Sequence, residues 1–102
     1  MQVWIGLVGI GSLPGSTTLG DAKGAYVNAV ALAADPQEYQ KAVSSALADL
    51  GLFAFEFEDV ERFSERAAHR QLDEQLHELA DEASRTNKVC FADFHTYAAL
   101  DG

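Results

Sequence analysis

One cysteine, two prolines and only seven basic residues stand among the 102 positions of this chain. The lone Cys90 rules out an internal disulfide, so nothing in the sequence calls for an oxidising compartment. Seven Lys and Arg against sixteen carboxylates give a formal net charge of −9, and the seven are scattered. A field of that sign repels phosphate backbones, and nucleic-acid binding would need a basic patch that is missing. No apolar run approaches the ~18–20 residues of a membrane-spanning helix. Ala31-Leu32-Ala33 has the look of a leader-cleavage site, but no Lys or Arg precedes the apolar run Val3–Ile10, and Asp21 and Lys23 interrupt the segment between the two. The chain therefore reads as cytoplasmic, with no partnership with membrane or nucleic acid. Internal repeats and low-complexity tracts are also missing.

What is present describes a folded domain. Hydrophobic residues make up 48% and charged residues 23%, ordinary values for a globular protein. The length suits a single domain over 1–102, with one core. The β-branched, apolar residues 3–10 predict a buried strand. Residues 11–24 hold four of the eight glycines, with Pro14 and a Ser-Thr-Thr cluster, and predict a long loop. Tyr26–Ala33 predicts a second strand. One of its faces carries Ala25, Val27, Ala29, Ala31 and Ala33, small enough for close packing, and the other carries Tyr26, Asn28, Val30 and Leu32.

The helix from Pro36 is the clearest element. Asp35 is a good N-cap, Pro36 suits the first helical position, and Glu38 can complete a capping box. Tyr39, Ala42, Val43, Ala46, Leu47 and Leu50 form one apolar stripe, and Gly51 can take the left-handed turn that ends it. The third strand comes next, at Leu52–Glu58. Strict alternation predicts Phe53, Phe55 and Phe57 beneath the helix, with Glu56 and Glu58 on the opposite face. Residues 59–71 fit either a helical turn or a short strand at 60–63. Leu72, Leu76, Leu79 and Ala83 predict a second helix over 72–86, and Val89–Tyr97 a last strand.

The expected class is α+β: a two-layer sandwich in which two helices cover one face of a four- or five-stranded sheet. If 60–63 pairs as a strand, the segment from Tyr26 onward has the ferredoxin-like order βαββαβ with an added N-terminal strand. The open face of such a sheet is commonly buried by a second copy, so a homodimer is expected.

No motif identifies a reaction. Gly9-Ile10-Gly11 succeeds a strand, but Pro14 stands where the dinucleotide fingerprint needs its third glycine, and no helix comes after it. Asp93, His95 and Tyr97 alternate along the last strand, so strict alternation puts an acid, an imidazole and a phenol on one face. At ~6–7 Å between i and i+2 neighbours they would need help from Glu56, Glu58, Tyr26 or Asn28. His69, His77 and His95 sit in separate segments, and Asp73 with His77 is the only close pair, so no metal site and no cofactor is expected. Cys90 reads as a small apolar core residue. Glu74, Glu78, Asp81 and Glu82 form a negative stripe opposite the leucines, partly relieved by Arg70 and Arg85.

Two function classes are compatible with these features. The first, favoured because no catalytic constellation stands out, is a non-enzymatic, immunity- or inhibitor-like module that docks a basic protein on Glu74, Glu78, Asp81 and Glu82. The second is a dimeric small-molecule-binding domain or small enzyme, with a pocket around Asp93, His95 and Tyr97 closed by the 11–24 loop.

Overall fold

The structure, a computed structural model, describes residues 1–20 and 23–97, with the backbone alone for 96 and 97. Its elements are strands β1 (Gln2–Ser12) and β2 (Gly24–Ala33), helix α1 (Pro36–Asp49), strand β3 (Leu52–Arg62), helices α2 (Phe63–His69) and α3 (Glu74–Thr86), and short strands β4 (Cys90–Phe91) and β5 (His95–Tyr97). All strand pairs are antiparallel, in the order β3-β1-β2-β4, with β5 also on β2. The fold is α+β, as the sequence predicts.

Helix α1 forms as its sequence dictates. The Asp35 carboxylate accepts from the Glu38 amide at 2.8 Å, and Glu38 reaches back to the Ala34 amide at 3.2 Å, a reciprocal cap. Gly51 closes the end at φ +77°. Tyr39, Val43 and Leu47 are buried, whereas Leu50 at the end of the stripe is exposed. They pack on the alanine face of β2 and on Trp4, Val8 and Ile10 of β1. Gly6 lets the Tyr39 ring come close, since a Cβ there would sit 3.0 Å from the hydroxyl oxygen. That hydroxyl donates to the Ala29 carbonyl at 2.7 Å, and burial pushes its pKa up.

The other helices depart from the two-layer expectation. Phe63 of α2 with Ala80 and Ala83 of α3 pack on Ile5, Val30 and Cys90, a second cluster. Ile5 points oppositely to Trp4 and Val30 oppositely to Ala29 and Ala31, so α2 and α3 lie across the sheet from α1. The helices thus flank both faces. The ferredoxin-like order is not the one found either, because residues 59–62 extend β3 and no separate strand forms.

The phenylalanine stripe is divided. Pairing of β3 with β1 slips between Gly9 and Ile10, opposite Glu56 and Ala54, so Phe55 is an extra residue in the ladder. A bulge of this kind reverses side-chain parity. Phe57 turns beneath α1, its ring 6.2 Å edge-on from Tyr39. Phe53 and Phe55 stand on the far face, 44% and 48% exposed, which corrects the expectation that all three are sealed. A second slip falls at Asp59, where φ is +53°. The 11–24 loop is anchored at its described part: Leu19 is buried, the Leu13 amide donates to Gly51, and the Thr18 hydroxyl donates to Leu50.

Candidate partner-binding surface

Helix α3 and helix α2 cover only the end of their sheet face that carries Val3, Ile5 and Val30. Among the described residues no helix covers the remainder. It is floored by Gly9 and Gly11 and carries Tyr26, Phe53, Phe55, Glu56 and Glu58. The Phe55 ring lies over Gly9 and the Phe53 ring over Gly11, each so close that a Cβ would stand 2.8 Å from ring carbon. Tyr26 meets Phe55 edge-on at 6.1 Å, and its hydroxyl lies 3.5 Å from Glu56 Oε2. Glu56 beside it, with lesser contributions from desolvation and Asp59, holds the Glu58 carboxyl above its ordinary range. Three aromatic rings and a carboxylate pair in like-charge contact thus share one surface.

Behind this surface, β3 is an edge strand, and its outer side has no partner among the described residues. On the α1 side of that edge runs an open groove of about 610 Å³, lined by Gln37, Gln40, Lys41, Ser44 and Phe57 with the capping pair Asp35 and Glu38.

The last strand is not continuous, so strict alternation does not carry from Asp93 to His95. It is interrupted at 92–94, between β4 and β5. Phe91 and Phe94 both pack toward the α1 cluster, 6.2 Å apart, so parity changes between them. His95 pairs in register with Tyr26 and is exposed, as is Asp93, while the side chain of Tyr97 lies outside the described residues. The open groove borders α1 and Phe57 rather than His95.

Glu74, Glu78, Asp81 and Glu82 are all exposed on α3, but two of them have local work. Asp81 pairs with Arg85 at 2.9 Å, and Glu82 accepts from the Cys90 thiol at 3.2 Å. Burial, followed by that carboxylate, pushes the thiol pKa up to about 11, so Cys90 is a neutral thiol at pH 7. Among the described residues no group of three or more His, Cys, Asp or Glu is placed to hold a metal ion, and no helix is long and apolar enough to cross a membrane.

Sequence reasoning missed Arg66. It is 5% exposed, and its Nη2 donates to the Asp59 carbonyl and lies 3.4 Å from Glu61, which is itself 3.4 Å from His69. Arg66 therefore fastens α2 to the bulge that orients β3. The only signal for it was an arginine falling beside Ala67 on the apolar side of a helical turn. The chain matches no family model, no curated protein and no solved structure.

Proposed function

We propose that this chain is a non-catalytic protein-binding domain that recognises a basic partner through the part of its sheet that carries Phe53, Phe55, Glu56 and Glu58. The observation that carries this reading is the pair of half-exposed rings, Phe53 and Phe55, standing beside Glu56 and Glu58. Isolated apolar residues on a surface are ordinary, whereas contiguous aromatic patches rimmed by polar groups characterise contact sites. Aromatic rings supply affinity when they are desolvated. The carboxylates, with Glu74 and Glu78 of α3 adding to the field, favour encounter with positive charge.

The test compares complexes recovered by crosslinking. The double variant Phe53→Ser/Phe55→Ser should lose the partner while keeping its unfolding midpoint close to wild type. Replacing Glu74 and Glu78 by Lys should slow association at low salt and leave the high-salt rate nearly unchanged. A partner retained at full affinity by the double serine variant would remove this surface from consideration.

A further inference from the structure

We infer that the occupant of this surface is an extended segment, alternating cationic with small apolar residues, that adds as a strand to the free edge of β3. The inference rests on the protein-binding reading and specifies its chemistry.

In an antiparallel ladder every second residue turns its N–H and C=O away from its neighbour, so an edge strand offers a row of unmet donors and acceptors. Strand β3 does so on either side of its bulge at Phe55, over Leu52–Ala54 and Glu56–Glu58. A strand laid there sends alternate side chains to opposite faces. One set emerges beside Phe53, Phe55, Glu56 and Glu58. A Lys or Arg at these positions meets ring faces and carboxylates together, combining cation–π attraction with an ion pair. The other set enters the groove between α1 and Phe57, where the Phe57 ring, Gln40 and Ser44 suit small uncharged side chains, Lys41 stands nearby, and the carboxylates of Asp35 and Glu38 are already engaged by the amides of Glu38 and Ala34. The carboxylates of the groove are tied to the helix cap whereas Glu56 and Glu58 crowd one another, and that difference favours cations beside the latter pair alone.

The same charges argue against a second copy. Pairing β3 with its own twin would set Glu56, Glu58 and Asp59 against one another, and like charges facing across strands are destabilising. Both chains would also bring a net charge of −9. Acidic residues are a familiar means of blocking self-association at an edge, and here they favour a cation-bearing strand over a second copy.

Two synthetic peptides decide the matter with the full chain. One alternates valine and lysine, and the other has the same sequence with N-methyl groups on alternate residues, which keeps charge and side chains but removes strand hydrogen bonds. The unmodified peptide should shift the amide resonances of residues 52–58 and protect them from hydrogen exchange. The methylated peptide should bind at least about tenfold more weakly, since its strand hydrogen bonds are lost. Equal binding of both peptides over Phe53–Glu58 overturns strand addition but leaves the docking surface standing. Perturbations confined to α3 or to β4 overturn the choice of edge. Binding by neither peptide overturns the inference and the basic-partner reading together. A dimer in sedimentation that protects 52–58 makes the occupant a second copy, against the inference.

Discussion

Val8 and Ile10 look toward α1 while Gly9 and Gly11, their neighbours in the same strand, look the other way, and the two faces of the sheet end in different states. On the α1 face, branched side chains meet Tyr39, Val43 and Leu47, and every one of these is fully buried. On the far face the glycines provide a floor without side chains, and phenyl rings lie on it half in water. Apolar residues on the first face therefore contribute to folding, as do Ile5 and Val30 beneath α2 and α3 on the second, whereas Phe53 and Phe55 there retain exposed surface that another molecule can bury. Hydrophobicity alone does not distinguish the two roles, but position does.

The sharpest contrast should come from truncation. Leu47→Ala is expected to cost about 3–5 kcal/mol, as transfer and cavity losses add in a closed core, and Phe55→Ser less than about 1 kcal/mol. Urea midpoints measure both, and equal losses would mean that the far face is sealed in solution. Arg66→Ala comes next, at about 2–3 kcal/mol, because the Asp59 carbonyl and Glu61 lose a buried cation. Exchange of the amides at 59–62 should quicken in that variant.

A smaller difference separates two glycines. In Gly6→Ala the new methyl meets Val60 at 2.9 Å and the buried Tyr39 hydroxyl at 3.0 Å, so about 1–3 kcal/mol of overpacking is expected. In Gly9→Ala the nearest obstacle, at 2.8 Å, is the half-exposed Phe55 ring, which can swing into solvent, and the Tyr26 ring at 3.1 Å need give only a few tenths of an ångström. Thermal unfolding should find that variant within about 0.5 kcal/mol of wild type, since stiffening the unfolded chain offsets part of the clash.

The smallest effect concerns pH. The raised pKa of Glu58 means that the folded chain holds this proton more tightly than the unfolded one. Its stabilising contribution is complete below the unfolded value and is lost as pH rises through the folded one. Glu56→Gln should flatten that part of the stability profile at low salt, with little change at high salt. A profile identical to wild type would show that the two carboxylates do not interact.

Much of the architecture is legible in residue order because its causes are local. The Asp35 cap, the stripe through Leu47 and the stop at Gly51 operate within a few turns of chain, and the alanine face of β2 receives a helix as its small residues suggest. The division of the phenylalanines is not legible. It depends on one residue of slippage against Gly9 and Ile10, which are more than forty positions away in sequence, and alternation within β3 contains no trace of it. The same holds for the break at 92–94 that separates His95 from the expected row. The placement of α2 and α3 across the sheet is hidden for a related reason, since a stripe of three phenylalanines on one face invites both helices to that side. Exposure of the acidic stripe is evident from helical periodicity, but the ties of Asp81 to Arg85 and of Glu82 to Cys90 emerge only in three dimensions.

The Cys90 thiol, held under α3 by Glu82, gives this molecule a built-in clock. An alkylating reagent can reach it only when the helix lifts, and its reluctance to ionise slows the reaction further. The alkylation rate of the intact chain thus counts how often that helix detaches, with no label added, and a ligand that clamps the domain would lengthen every tick.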